Sequence, residues 1–219
     1  YSFDTVRPFA RSIWDSGGID TLDFSNFDNA CTVNIEPGAY STIVCRDWIL
    51  TDNLGIAYGA IIENVIGGTG NDTVTGNSVD NSLSGGPGND ILYGGAGNDI
   101  FEFNNNRQGL DSLYGEEGND TYYIDNLDDK VIEELDQGLD TVIVSVGVEY
   151  SLPANVEKVI GSNDTQVILR GNSLDNEITG GAGSDTLLGG DGDDTISGGD
   201  GDDIITGGSG NDTLEGNLG

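Results

Sequence analysis

The sequence predicts an all-β chain wound as a parallel β-roll, a right-handed β-solenoid of nonapeptide repeats, with two repeat blocks joined by a β segment carrying longer loops. Three observations carry that prediction. In "GGDGDDTISGGDGDDIITGGSGNDTLE" (189–215), Gly-Gly recurs every nine residues, a patch of acid or Asn follows each pair, and one large aliphatic residue closes each unit. Carboxylates stacked at that interval repel one another, so the pattern raises the question of what holds them.

Repeats are the first thing to seek in such a chain. A register with Gly at positions 1, 2 and 4, Asp at 6 and a large apolar residue at 8 fits two blocks. The first, 67–123, contains "GGTGNDTVT" (67–75), "GNSVDNSLS" (76–84), "GGPGNDILY" (85–93) and "GGAGNDIFE" (94–102). After a slip of three residues come the irregular "NRQGLDSLY" (106–114) and the clearer "GEEGNDTYY" (115–123). The second block, 171–219, runs "GNSLDNEIT" (171–179), "GGAGSDTLL" (180–188) and the three units quoted above. Position 8 is apolar in all eleven units, from Val74, Leu83, Leu92, Phe101, Leu113 and Tyr122 to Ile178, Leu187, Ile196, Ile205 and Leu214. Position 6 is Asp in nine of them and Asn at Asn81 and Asn176, so both columns hold.

The spacing has a physical reading. About three residues around position 8 form a short strand, and the preceding six turn the chain back. Two units make one coil of 18 residues, and coils stack in parallel with the position-8 side chains between two sheets. Each loop then lies beside the loop two units on, about 4.8 Å away. Between the blocks, residues 124–170 form the β linker: alternating apolar residues at 142–148 and 165–169 read as strands that continue the roll. "ENVIG" (63–67) recurs as "EKVIG" (157–161) and "GNSVDN" (76–81) as "GNSLDN" (171–176), which marks a duplicated module of about 95 residues. By that match Glu157 stands where Glu63 stands.

Stacked carboxylates about 5 Å apart repel by roughly 1 to 3 kcal/mol per pair. Net stability is only about 0.1 kcal/mol per residue, so a cation must lie between the loops. Oxygen is the donor on offer, from Asp carboxylates and from carbonyls that glycines expose by allowing positive φ. With no His in the chain, a hard cation that tolerates six to eight oxygens fits best, and that cation is calcium.

Composition sets the outer bounds. Thirty-nine Asp and Glu against 7 Lys and Arg give a formal charge of −32 on 219 residues, which makes nucleic acid and anionic membrane surfaces poor partners. Disorder is disfavoured, because 35% of residues are hydrophobic and the 36 glycines recur at fixed intervals. No run of 18 apolar residues suggests a membrane span, and the start has no signal-peptide character. The chain has no Met and stops at Gly219 inside a further repeat, so a fragment or processed form is expected.

The Gly-Gly-x-Gly-x-Asp nonapeptide resembles the calcium-binding repeat of RTX proteins. The resemblance implies that carbonyls of positions 1 to 5 and the position-6 carboxylate of one loop share each ion with the loop two units on. In the first block this assigns Gly67, Gly68, Thr69 and Gly70 with Asp72, then Gly85, Gly86 and Gly88 with Asp90. Gly94, Gly95 and Gly97 go with Asp99, and Gly118 with Asp120. In the second block the sets are Gly180, Gly181 and Gly183 with Asp185, and Gly189, Gly190 and Gly192 with Asp194. Gly198, Gly199 and Gly201 follow with Asp203, then Gly207, Gly208 and Gly210 with Asp212. Asp111 is carried over too, but its unit departs most, with Arg107 in place of Gly and Leu110 at position 5, and the slip before it is expected to spoil the stacking.

Residues 1–66, expected to cap the roll, resemble the opening of the C-terminal domain of serralysin-type secreted metalloproteases through "YSF", "SIWDSGGIDTLDFSNF" (12–27) and "IIENVIGGTGND" (61–72). The resemblance implies further calcium ligands at Asp15, Gly17, Gly18 and Asp20, and at Glu63 with the Ile61 carbonyl. Cys31 and Cys45 depart from both families; a disulfide between them is expected in an extracellular protein.

Without His the chain has no His-Glu-x-x-His zinc site, Ser-His-Asp triad or Cys-His pair, and the acids are explained by the repeat, so no catalytic residue is expected. The resemblance implies a module that folds on extracellular calcium, passes a type I secretion channel and stabilises a cargo such as an upstream catalytic domain. The other reading is an adhesive or polysaccharide-binding module. Its candidates are Tyr93, Tyr114 and Tyr123, while the mixed position-3 column, Thr69 to Ser209, offers no regular template.

Overall fold

The computed structural model describes residues 1, 11–44, 51–102, 109–124, 126–145, 149–161 and 166–217, all in strands, turns and loops without a helix. It divides into two compact units, Tyr1–Gly118 with Asp128–Val131, and Asn119–Leu127 with Ile132–Gly219.

In the first unit, the strands Thr21–Asp23, Asn64–Ile66, Ser82–Ser84 and Ile100–Phe101 lie side by side in one parallel sheet. The strands Thr32–Asn34, Thr73–Thr75, Ile91–Ala96, Ser112–Glu117 and Lys130–Ile132 form the second sheet in that order. Chain order alternates between these sheets, so consecutive repeats supply opposite walls and each repeat pairs with the one two units on. Position-8 residues meet in register, Val74 with Leu92 and Leu83 with Phe101, and all four are buried. A small mixed sheet of Arg11–Ile13, Leu54–Ile56 and Tyr40–Ser41 belongs to the leading segment, where Phe24 and Phe27 pack edge to face at 5.9 Å.

The second unit repeats the plan. One sheet carries Thr121–Ile124, Thr141–Val144, Lys158–Gly161, Glu177–Ala182, Thr195–Asp200 and Thr213–Glu215; the other carries Glu149–Ser151, Ile168–Arg170, Thr186–Asp191 and Ile204–Ser209. Val142, Val159, Leu169, Ile178, Leu187 and Ile196 fill its core at 0% exposure. Each such side chain contributes about 1.5–3 kcal/mol by burial, which is what the strict position-8 column supplies.

Several strands run longer than the three residues expected where they continue into the start of the following unit. Glu177–Ala182 and Thr195–Asp200 run six residues, because the glycines pair as well, Gly181 opposite Gly199. The expected linker strands are present as Thr141–Val144 and Ile168–Arg170; residues 146–148 and 165 lie outside the described residues.

Two expectations are corrected. The slip before residue 106 does not spoil the stacking. Leu113 pairs with Leu92, the Lys130 amide donates to the Asp111 carbonyl at 2.8 Å, and Gly109 sits on Gly88, so the three extra residues fall before Gly109. Arg107 itself lies outside the described residues. The disulfide gains no support: the buried Cys31 has its Sγ 3.5 Å from the Asn29 carbonyl, and Cys45 lies outside the described residues.

Candidate metal centre

Folding a nonapeptide back on itself puts its position-6 Asp at the turn where loop becomes strand, and coil stacking sets these carboxylates in two columns. Each carboxylate uses Oδ1 to accept the amide of the position-6 residue one coil earlier. In the first unit Cys31 donates to Asp72, Asp72 to Asp90, Asp90 to Asp111 and Asp111 to Asp129, all at 2.7–3.0 Å. On the other edge of this unit Asn81 donates to Asp99 at 2.7 Å. In the second unit Val167 donates to Asp185 and Asp185 to Asp203, while Asn176 donates to Asp194 and Asp194 to Asp212.

The second oxygen decides the chemistry. Oδ2 of Asp90, Asp185, Asp194 and Asp203 is buried and no protein donor reaches it. A buried acceptor without a partner costs about 1–3 kcal/mol, more when charged, so four such atoms in one repeated position call for a cation. Each Oδ2 presses against position 1 of its own loop: a side chain on Gly85, Gly180, Gly189 or Gly198 would collide with it. Glycine at positions 2 and 4 has a separate cause. Gly199 and Gly201 hold φ of 98° and 124°, and a Cβ on either would run into the carbonyl oxygen of Gly181 or Gly183 one coil below. The loops therefore bring backbone carbonyls and carboxylates together, an all-oxygen donor set that suits calcium.

Burial makes several of these carboxylates hard to ionise. Burial pushes Asp90 up to about 7 and Asp99 up to about 6. It also raises Asp72, Asp185 and Asp194, against amide hydrogen bonds that lower them.

The leading segment gathers its predicted residues as well. Both oxygens of Asp15 accept the Gly17 amide, Gly17 and Gly18 have φ of 108° and 139°, and the Asp20 amide donates to Glu63 Oε2 at 2.7 Å. A hydrogen bond with Asp15 raises the Asp20 carboxyl, and Glu63 adds repulsion. The bond from Asp20 to Glu63 has a counterpart in the duplicated module, where the Asp140 amide donates to Glu157 Oε2 at 2.9 Å. Ile61 is 41% exposed and stands two residues before Glu63.

Some column members were missed from sequence. Asp129 and Asp140 take position-6 places, accepting the amides of Asp111 and Asp120. "QGLDTV" (137–142) keeps Gly at 4, Asp at 6 and an apolar residue at 8, a signal obscured by a spacing of 20 residues from Asp120. Glu133, buried beside Asp120 and Asp140, has no counterpart in the repeat at all. Tyr93 and Tyr114 stack on one another at 4.7 Å, which accounts for their place at the edge.

Comparison with known proteins agrees with this geometry. The profile described as Peptidase M10 serralysin C terminal matches residues 3–145, and that of the RTX calcium-binding nonapeptide repeat (4 copies) matches 170–205 and 188–219. Serralysin C of Dickeya chrysanthemi is 42% identical over 69 residues, 32% of this chain and 14% of that protein. Metallopeptidase AprA of Pseudomonas marginalis is 43% identical over 63 residues, 29% of this chain and 12% of its own length. The serralysin of Photorhabdus luminescens is 43% identical over 61 residues, 28% and 12%. The chain thus aligns with no more than 14% of the length of these relatives.

Proposed function

Because the chain belongs to the family of serralysin C-terminal domains, we propose that it is a calcium-folded β-roll module of a secreted protein, serving as a secretion and stabilising scaffold for a cargo such as a serralysin-like metalloprotease. The observation that carries this reading is the buried Oδ2 of Asp90, Asp185, Asp194 and Asp203, each facing a glycine-lined loop with no protein donor. Bound calcium supplies the positive charge that these buried oxygens face without a protein donor.

The chain's own residues do the rest. Position-6 Oδ1 atoms fix the coil-to-coil register, Oδ2 atoms and glycine carbonyls offer oxygen, and position-8 side chains close the core once the loops are held. Where calcium is scarce, as in cytosol, the repulsion of the columns keeps the chain open, a state suited to passage through a type I secretion channel. Outside, ion binding and folding become one reaction. The proposed ligands are the glycine and Asp sets of the two repeat blocks, with Asp15, Gly17, Gly18 and Asp20, and Glu63 with the Ile61 carbonyl, in the leading segment. The module works without catalytic residues of its own, and hydrolysis belongs to the cargo.

Far-UV circular dichroism of the chain in chelator and in millimolar calcium tests this reading. The expected result is a largely unfolded chain that gains β-structure with calcium. Identical spectra in the two buffers overturn it.

A further inference from the structure

We infer that Asp120, Glu133 and Asp140 together hold one calcium ion, the segment between the repeat blocks supplying two carboxylates where the regular repeat supplies a glycine loop. This rests on the reading that the chain takes calcium and extends it: Asp120 belongs to the nonapeptide at 115–123, whereas Glu133 and Asp140 come from residues 124–140, which contain a single glycine, Gly138. Each of the three acids offers one carboxylate oxygen, and these oxygens lie within 4.8 Å of one another. The side chains are 1%, 7% and 1% exposed.

Glu133 makes the cluster more than a patch of acid. It alternates with the buried Val131, so it points inward where the strand pattern calls for an apolar residue. Its Oε1 accepts the hydroxyl of Tyr122, itself a fully buried position-8 residue, while its Oε2 is buried with no protein donor. Asp140 has its Oδ1 engaged by the Asp120 amide at 2.8 Å. Among the described residues the ion pairs are Lys158 with Glu177 and Arg170 with Glu149, so none engages Glu133 or Asp140. A buried carboxylate in this position stays ionised only with a positive charge beside it.

The span admits a calcium ion. Two oxygens on one cation lie no farther apart than twice the bond length, about 4.6–5.2 Å for calcium and about 4.0–4.2 Å for magnesium. Oxygens within 4.8 Å of one another are close enough to share one calcium ion, and the donors are all hard oxygen.

Equilibrium dialysis of the full chain against buffered calcium, with bound metal counted by atomic emission, tests the site. Glu133→Gln keeps the shape and the Tyr122 acceptor but loses the charge; it should bind one ion fewer per chain while the calcium-induced circular dichroism change persists. Asp140→Asn should show the same loss and serves if the Gln variant does not fold. Variants that bind as many ions as the parent, at the same midpoint, overturn this site alone. A parent chain that binds no calcium overturns both this site and the proposed function.

Discussion

The backbone amide of Asp72 donates to Oδ1 of Asp90, one coil away, at 2.7 Å, while Oδ2 of Asp90 has no protein donor. One carboxylate thus has two separable duties. Its first oxygen locks the register between coils, and its second requires a cation. Asp90→Asn should keep the first duty and weaken the second, raising the calcium midpoint for folding several-fold while the calcium-saturated spectrum stays parental. Asp90→Ala removes both and should cost a further 1–3 kcal/mol or so, the usual loss for a buried amide left unpaired. Calcium titrations of the two variants by circular dichroism separate the duties, and indistinguishable titrations would show that the amide bond contributes nothing.

The glycines predict a second contrast. Gly199 has φ of 98° and its Cβ position is filled by the Gly181 carbonyl, whereas Gly216 has nothing within 4 Å. Gly199→Ala combines left-handed backbone strain with a steric collision, so a loss of about 2 kcal/mol or more in the calcium-loaded state is expected. Gly216→Ala should be neutral to within about 0.5 kcal/mol. Denaturant unfolding in saturating calcium measures both.

The metal-free chain should respond to pH with a definite sign. Burial lifts Asp90 and Asp140 to about 7 and Asp99 to about 6 in the folded state, against about 3.9 for an unfolded Asp. Folded pKa values above the unfolded ones mean that the fold holds protons that the unfolded chain has released. The carboxylates' contribution to stability is then fully present at and below the unfolded pKa and is lost as pH rises through about 4 to 7. Lower pH also relieves the repulsion of a chain with a formal charge of −32. In chelator, β-structure should therefore be greater at about pH 4.5 than at about pH 7.5, and calcium should flatten the difference by taking the protons' place. Equal spectra at the two pH values in chelator would contradict the burial of these carboxylates.

Legibility followed periodicity. The apolar position-8 column and the Asp columns repeat every nine residues, so Leu83 beneath Phe101 and Asp185 beneath Asp203 could be placed from sequence alone. Where the period breaks, the reading stopped. Asp140 stands 20 residues after Asp120, and Glu133 is an acid at an inward position that alternation marks as apolar. Neither fact is local in sequence; both depend on how far the linker's loops bulge between strands. The slip before residue 106 misled in the opposite direction, since an insertion that falls before a stacked turn leaves that turn in place.

That correction sets the last prediction. Sequence reasoning expects Asp203→Ala to harm calcium-induced folding more than Asp111→Ala, because of the irregular unit around Asp111. In the structure the two residues hold the same place in the hydrogen-bond ladder. Asp111 Oδ1 accepts the Asp90 amide at 2.8 Å, and Asp203 Oδ1 accepts the Asp185 amide at 2.9 Å. Gly109 holds a left-handed φ of 143° above Gly88, as Gly201 does with 124° above Gly183. Asp111 also passes the ladder on, its own amide donating to Asp129 at 3.0 Å, so it stands between two stacked neighbours. Asp111→Ala and Asp203→Ala should therefore shift the calcium midpoint by similar factors, each costing about 1–3 kcal/mol. Parallel titrations followed by circular dichroism decide the matter. A midpoint for Asp111→Ala at the parental value, beside a clear shift for Asp203→Ala, would restore the sequence-based ranking and show that the slipped loop stacks without taking part in ion binding.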